Sequence, residues 1–221
     1  MTPQRGAIRR AARSYLVVGV LLVLLSGGLG LWIFSRGDQP FAIDVWWNEL
    51  VAGWWTPMLT GFSGVMNWVG GGWFGTLAVP IGGAVALIVA RRAWAAAFFV
   101  TAEAVSAAGV QVFKHIFGRI RPEDMLIVSD YGSYPSGHVA NATTIAVGAV
   151  ILFPLVWVGL AGAAWVVLMA FSRTYLHAHW LTDTLGGALL GAGAALLVAA
   201  IFVVPLAKES LDSAEKRPSL G

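Results

Sequence analysis

Apolar residues form six long stretches along the chain, and most polar residues lie between them. Each stretch has about 18–25 residues, enough for a helix to cross about 30 Å of hydrocarbon at about 1.5 Å per residue. A turn near Pro154 separates the fourth from the fifth, so we expect these two to form an antiparallel hairpin. The pattern predicts transmembrane helices at Leu16–Phe34, Trp73–Ala90, Ala93–Phe117, Ser136–Phe153, Leu155–Ser172 and Asp183–Val204.

The segment between the first two predicted spans, Ser35–Gly72, is apolar but interrupted by glycines and by Pro57. Six of the eleven tryptophans lie in this segment or directly after it. Tryptophan is enriched at the headgroup depth of a bilayer, and amphipathic helices can lie in that plane. We therefore predict an amphipathic segment in the outer interface, which either anchors the protein or also shapes the path of a lipid toward a site.

The composition is typical of a polytopic membrane protein. The 221 residues are 58% hydrophobic and only 11% charged, with a mean hydropathy of +0.76, whereas a soluble domain has about 25% charged residues. The chain has no cysteine, which excludes thiol catalysis and disulfides. We predict one all-α membrane domain over residues 1–207, followed by a polar cytoplasmic tail at 208–221.

The basic residues predict the orientation, because cytoplasmic loops are enriched in Lys and Arg. With a cytoplasmic N-terminus, most of the fourteen basic residues fall on the cytoplasmic side: Arg5, Arg9, Arg10, Arg13, Arg91, Arg92, Lys208, Lys216 and Arg217. Four exceptions cluster at the outer ends of the third and fifth spans: Lys114, Arg119, Arg121 and Arg173. Cations on the disfavoured side indicate an anionic ligand there.

Three polar stretches fall on this same predicted outer side. They are KHIFGRIRP at 114–122, YPSGH at 134–138 and SRTYLHAHWLTD at 172–183. Each adjoins the outer end of a predicted span, so three separated parts of the chain can build one pocket.

The first chemical feature of these stretches is their supply of anion ligands. Lys114, Arg121 and Arg173 provide three cations, and the two guanidinium groups suit phosphate oxygens. Ser136 and Gly137 open a helix, where backbone N–H groups and a hydroxyl can face an anion. This set of donors favours a phosphoryl group over a carboxylate.

The second chemical feature is a group of histidines. His179 and Asp183 are four residues apart on one helical face, so the carboxylate can orient the ring and leave one nitrogen as a nucleophile. His138, from another helix, suits a general acid and base. His177 and His179 could instead hold a metal with Asp183, but no further ligand cluster accompanies them and the nearby cations would repel a metal. We expect no metal and give His177 no catalytic role.

Other polar residues near these stretches receive minor roles. Arg119 is predicted to be an accessory charge at the pocket rim, and Asp130 to be solvated. Glu103 lies near the middle of the third span, where we expect a hydrogen bond inside the bundle with Ser106 or Gln111.

The three stretches together resemble the signature of the type 2 phosphatidic acid phosphatases, a superfamily that includes lipid phosphate phosphatases and vanadium haloperoxidases. The matching motifs are Lys114-x6-Arg121-Pro122, Pro135-Ser136-Gly137-His138 and Ser172-Arg173-x5-His179-x3-Asp183. The resemblance implies a phosphohistidine intermediate on His179 and no metal or other cofactor. It also implies that His138 is the acid and base, that Asp183 orients His179, and that phosphate is held by Lys114, Arg121, Ser136, Gly137 and Arg173.

We accordingly expect an integral phosphatase of the bacterial plasma membrane, acting on a lipid-linked phosphate monoester or diphosphate at the outer face. Isoprenoid diphosphate, phosphatidylglycerophosphate and phosphatidic acid remain open as substrates. A phosphotransferase using the same histidine and a non-catalytic phospholipid transporter are the alternatives. Membrane lipids are expected partners and nucleic acid is not. Gly187-x-x-x-Gly191 predicts close helix packing, either within the bundle or in a homodimer.

Overall fold

Helices make up the regular structure of residues 3–215, the part of the chain that this computed structural model describes. Eight α-helices follow one another there, and a π-helical turn at Phe74–Ala78 precedes the fourth. They are α1 Pro3–Ser35, α2 Ala42–Ala52, α3 Pro57–Gly70, α4 Val79–Val89, α5 Ala93–Phe117, α6 Gly137–Leu152, α7 Val156–Tyr175 and α8 Leu181–Glu215. The predicted all-α, polytopic class is confirmed.

Four helices, α1, α5, α7 and α8, are long and apolar enough to cross a membrane. Helix α5 has the bounds predicted for the third span, and α6, with 16 residues, is shorter than the other candidates. Their apolar side chains are widely exposed, as expected where lipid rather than water surrounds a helix.

The predicted second span, Trp73–Ala90, corresponds to one helical stretch, Phe74–Val89, made of the π-helical turn and α4. This stretch and α3 form a bent pair with an angle of 45° between them. Glycines at 70–72 occupy the break, where a backbone without Cβ atoms can leave the helical path. Counted as one span, the pair gives up to five candidates by length and composition, so the six-span count stays a prediction.

The predicted interfacial segment folds as α2 and α3. Its tryptophans are largely exposed, with Trp46 at 53% and Trp68 at 52%. Helix α3 packs against α6 and α7, and α2 packs against α7 and α8, so both helices cover the same end of the bundle.

Helix α8 is the centre of the bundle and packs against α1, α5, α6 and α7. Gly187 and Gly191 face the backbone of α6 near Ser136 and Ala140, where a Cβ would clash. The two glycines therefore serve packing within this chain, and a homodimer stays a prediction.

The predicted polar tail differs from the structure, because α8 continues past Pro205 and Lys208 to Glu215. The Glu209 carboxylate accepts hydrogen bonds from the backbone N–H groups of Trp94, at 2.7 Å, and Ala95, at 3.2 Å. Helix α8 thus extends through residues 208–215, and Glu209 joins it to the start of α5, while 216–221 lie outside the described residues.

Candidate active site

The three polar stretches meet at one end of the bundle. Helices α5 and α7 end there, while α6 and α8 begin there. The side chains of Lys114, His138, Arg173 and His179 line a single cavity of about 790 Å³ in this region. Its wall continues along α5 and α4 between mainly apolar residues, including Leu77, Pro80, Ile81 and Val100. A polar end and an apolar extension therefore share one space.

His179 is buried in the turn between α7 and α8. Its Nδ1 lies 2.7 Å from the carbonyl oxygen of Ser133. Because a carbonyl only accepts, Nδ1 carries the proton and Nε2 keeps a lone pair. Burial, and then the charges of Arg121, Arg173 and Lys114, hold the pKa of His179 well below 6.5. The ring is therefore neutral at neutral pH.

Asp183 does not form the predicted direct hydrogen bond with His179. Its Oδ2 lies 3.8 Å from Nδ1 of His179, whereas it accepts closer hydrogen bonds from the Ser133 hydroxyl and from the backbone N–H of Trp180, the latter at 2.8 Å. Its Oδ1 lies 2.6 Å from Nη1 of Arg119. Asp183 thus holds the residue whose carbonyl orients the histidine, and its charge acts at 3.8 Å.

Arg119 does not lie at the pocket rim, and that prediction is wrong. Its side chain is fully buried, between Asp183 and Asp44, with Nη2 2.7 Å from an Asp44 oxygen. A guanidinium can bridge two carboxylates because its donors lie in one plane and point in different directions. This residue is therefore an internal link between α2 and the start of α8.

His138, at the start of α6, faces the end of α3. Its Nε2 lies 3.0 Å from the backbone oxygen of Asn67, to which it donates. The Asn67 side-chain oxygen also accepts a hydrogen bond from Nη1 of Arg173. Next to it, Gly71 lies so close to the His138 ring that a Cβ would clash. One residue of α3 thus contacts both an expected catalytic side chain and an expected phosphate ligand.

Asp130 forms ion pairs with the other two predicted phosphate ligands, Lys114 and Arg121. Its carboxylate lies 2.9 Å from Nζ of Lys114 and 2.7 Å from Nη2 of Arg121, although its side chain is 60% exposed. Burial acts to raise its pKa, but hydrogen bonds and charge from Lys114, together with Arg121, hold that pKa below its usual value. Asp130 is therefore paired as well as solvated, and an anion sits where the sequence predicts phosphate.

At the polar end of the cavity, Oγ of Ser136 and Nε of Arg173 are buried and have no hydrogen-bond partner among the described residues. Ser136 is the N-cap of α6, and Gly137 is its first residue, so free backbone N–H groups lie beside this hydroxyl. Buried polar groups without partners are uncommon in native proteins. They form, with the cations, a place that suits an anionic ligand.

His177 has partners of its own, away from His179. Its Nδ1 lies 3.2 Å from the Asn48 amide and 2.8 Å from a carboxylate oxygen of Asp124. Within residues 3–215, no three His, Cys, Asp or Glu side chains are grouped so that they could hold a metal ion. His177 therefore ties α2 to the loop before α6, while His179 faces the cavity.

Glu103 lies on the apolar part of the same cavity. Within residues 3–215, no hydrogen bond joins Glu103 to Ser106 or Gln111, so that expectation is wrong, and the Ser106 hydroxyl instead accepts from Thr144 at 2.9 Å. Oε1 of Glu103 is buried without a partner among the described residues.

Sequence reasoning does not identify Asp44, Asn67 or Ser133 as parts of this site. Asp44 has an ordinary local explanation, since it accepts from the N–H of Phe41 at the start of α2. Asn67 and Ser133 have no local pattern that sets them apart from other polar loop or helix residues. Their roles depend on contacts across the fold, which no spacing in the chain reveals.

Comparisons with known proteins identify similar sequences and folds. The model of the PAP2 superfamily matches residues 92–204. An undecaprenyl-diphosphatase of Sulfolobus acidocaldarius is 34% identical over 89 residues, which cover 37% of this chain and 42% of that protein.

Two crystal structures share the fold. A PAP2-type phosphatidylglycerolphosphate phosphatase from Bacillus subtilis superposes with a TM-score of 0.69 at 24% identity, covering 90% of this chain and 98% of that one. Aquifex aeolicus LpxE gives a TM-score of 0.61 at 22% identity, covering 75% of this chain and 96% of that one. The chain therefore shares its overall fold with these two structures.

Proposed function

The chain belongs to the PAP2 superfamily, and from that premise we propose that it is an integral membrane phosphatase that removes a phosphoryl group from a lipid phosphate. The observation that carries this proposal is a buried His179 whose Nδ1 donates to a carbonyl and whose unprotonated Nε2 lies 3.3 Å from Nη1 of Arg121, beside three buried cations. A transporter that only bound a phospholipid would need the cations but not a nucleophile of defined tautomer.

The first step forms a bond between Nε2 of His179 and phosphorus and breaks the bond from phosphorus to the lipid oxygen. His138, in its doubly protonated form, gives a proton to that departing oxygen and becomes neutral, so the lipid leaves as an alcohol or as a monophosphate. Lys114, Arg121 and Arg173 stabilise the charge on the remaining phosphoryl oxygens, together with Ser136 and the N–H groups at Gly137. The imidazole becomes positively charged, and the Asp183 carboxylate at 3.8 Å offsets that charge.

The second step returns the enzyme to its starting state. Water attacks the phosphorus of the phosphohistidine while His138 accepts a proton from it, and the bond to Nε2 breaks. Inorganic phosphate leaves, and His179 is again a neutral ring with its proton on Nδ1. The hydrogen bond to Ser133 can persist through both steps because Nδ1 never gives up its proton.

Phosphate binding requires an exchange of partners in the cavity. The Asp130 carboxylate lies on Lys114 and Arg121, and the Asn67 side chain lies on Arg173. Phosphoryl oxygens would replace both acceptors on these cations. The exchange keeps the buried cations hydrogen-bonded whether or not substrate is present, which limits the cost of leaving charges unpaired.

The apolar extension of the cavity supports a substrate with a hydrocarbon chain. We propose a lipid monophosphate or diphosphate, of the isoprenoid diphosphate, phosphatidylglycerophosphate or phosphatidic acid class, as the substrate. The distribution of basic residues supports our proposal that the cavity faces the outer side of a bacterial plasma membrane, with both termini in the cytoplasm.

The direct test is phosphate release by the purified protein in detergent, with EDTA present, from one lipid of each of these three classes. We expect release from at least one lipid, and a fall of about 10⁴-fold or more in His179→Ala. His115→Ala is the matched control, since His115 is exposed on α5, and should keep full activity. A wild-type protein inactive on every lipid, or an active His179→Ala protein, would refute the proposal; a phosphorylated acceptor with little free phosphate would identify a transferase.

A further inference from the structure

A buried charge cluster connects α2 to the turn that carries His179. It consists of Asp44, Arg119 and Asp183, whose side chains are all fully buried. One cation faces two carboxylates, at 2.7 and 2.6 Å, so the cluster carries one net negative charge. Buried charges are costly unless fully paired, so such a cluster requires compensation from the surrounding structure.

Asp44 lies on α2 and connects that helix to α8 through its hydrogen bonds. Its Oδ2 accepts from the N–H of Phe41 at 3.1 Å, at the start of α2. Its Oδ1 accepts from the backbone N–H of Thr182 at 2.8 Å, in the first turn of α8, and Oδ2 accepts from the Thr182 hydroxyl at 2.9 Å. A single carboxylate thus satisfies N–H groups at the N-terminal ends of two helices.

Arg119 transmits the position of Asp44 to Asp183. Because one arm of the guanidinium is held by Asp44, only the other arm contacts Asp183. Without Asp44, both arms would be free to bind Asp183 in the bidentate geometry that arginine and carboxylate prefer. That shift would withdraw Asp183 from its other two donors, the hydroxyl of Ser133 and the N–H of Trp180.

Ser133 is the last link before the histidine. Its hydroxyl donates to Asp183 and its carbonyl accepts the Nδ1 proton of His179. If that carbonyl moves, the Nδ1 proton loses its acceptor, and only the 3.3 Å contact from Nη1 of Arg121 to Nε2 still favours this tautomer, so the ring can more easily carry its proton on Nε2. A ring protonated on Nε2 has no lone pair on that nitrogen, which is the one that must attack phosphorus.

We propose that Asp44 is a positioning residue for His179, which acts through Arg119, Asp183 and Ser133 to hold the Nδ1-protonated tautomer. This inference rests on the proposed function, because it concerns the same nucleophile. It assigns to α2 a part in the reaction as well as a place in the fold: the helix must be docked on α8 for His179 to be ready to react.

The test compares Asp44→Asn with Glu49→Gln, a matched loss of one carboxylate at an exposed site of the same helix. Asparagine keeps the size of the side chain and an acceptor for Thr182, so α2 should remain docked. We expect kcat to fall about 10- to 100-fold, as for a small misplacement of a reacting group, with KM changed less than twofold because the phosphate ligands are untouched. Glu49→Gln should match the wild type in both.

A second variant covers the case in which Asp44→Asn does not fold. Arg119→Lys keeps the positive charge but cannot reach two carboxylates with one planar fork. It should also lower kcat with little change in KM, and the double variant should be no slower than the slower single variant, since both changes interrupt one path. A higher KM with unchanged kcat, or fully additive losses, would refute the proposal.

A readout independent of activity is the ¹⁵N NMR spectrum of histidine-labelled protein in detergent, with His179→Gln identifying the signal. We expect the Nδ1-protonated ring in the wild type and Glu49→Gln, and a mixture with the Nε2-protonated ring in Asp44→Asn. An unchanged tautomer in a folded Asp44→Asn protein would overturn the inference while leaving the phosphatase proposal intact. A wild type without phosphatase activity would overturn the proposed function, and the spectrum would still decide the role of Asp44.

Discussion

His179 and His138 line the same cavity, but different kinds of structure hold them. His179 is bound to Ser133, which is itself bound to a buried network that ends on α2. His138 instead donates to a backbone carbonyl near the end of α3, beside the glycine-rich break that precedes the second span. One ring depends on several connected side chains, and the other depends on where a single helix ends.

The difference corresponds to the work expected of each ring. A nucleophile needs one tautomer with its lone pair directed at phosphorus, which a rigid network supplies. A group that first donates a proton and then accepts one must change partners within each reaction cycle. The hydrogen bond of His138 to one backbone oxygen next to a bend is easier to break and re-form than the connected hydrogen bonds that link His179 to the buried charge cluster. The comparison leads to three tests.

Of these three tests, the largest effect is expected for a substitution of His138, the less constrained ring. We expect His138→Gln to lower kcat by about 10²–10⁴-fold on a lipid phosphate, because the departing alkoxide loses its proton donor. The loss should be much smaller on a lipid analogue with a nitrophenolate leaving group, which needs no proton. Phosphate release from the two substrates measures this, and equal losses on both would show that His138 does not act as the acid.

A smaller effect should come from the α3 side of the cavity. In Asn67→Ala, Arg173 loses the side-chain oxygen that substrate must displace. We expect KM to fall about two- to tenfold, which corresponds to a hydrogen bond of about 0.5–1.5 kcal/mol, with kcat nearly unchanged. Asn48→Ala on α2 is the control. A higher KM would show that Asn67 orients Arg173 for phosphate rather than competing with it.

The smallest effect is expected for His179, whose protonation state should not change over the neutral pH range. The pKa of His179 in the folded protein lies well below 6.5 because of burial and then of the neighbouring cations. The ring is therefore neutral above that pH and becomes protonated only as the pH falls through its lowered pKa. ¹⁵N NMR should show no protonation of His179 between pH 8 and about 6.5, where free imidazole is already half protonated; titration near 6.5 would contradict this electrostatic account.

The sequence predicts those parts of the fold and site that local patterns determine. Uninterrupted apolar runs predict α5 to the residue and α7 to within a few residues. The meeting of Lys114, His138, Arg173 and His179 follows from the alternation of spans, which places three stretches on one side.

The remaining features depend on contacts between distant residues. Asp44 and Arg119 are 75 positions apart, and Asn67 and Arg173 are 106 apart, so no helical spacing connects either pair. The boundary predicted between the interfacial segment and the second span, at Gly72 and Trp73, coincides with the bend after α3, but hydropathy does not report the angle of that bend. The sequence predicts Arg119 at the rim because charged side chains are usually solvated, and its two buried carboxylate partners are distant in the chain.

The contact between Glu209 and the beginning of α5 has a consequence for biosynthesis. Helix α5 carries Lys114 at its far end, and two of its first N–H groups, at Trp94 and Ala95, donate to a carboxylate more than a hundred positions later in the chain. Translation produces α5 long before that carboxylate leaves the ribosome. In the membrane-inserted intermediate, these N–H groups must therefore bind water or lipid headgroups. Their hydrogen bonds to the Glu209 carboxylate can form only after α8 has been synthesised and has packed against α5.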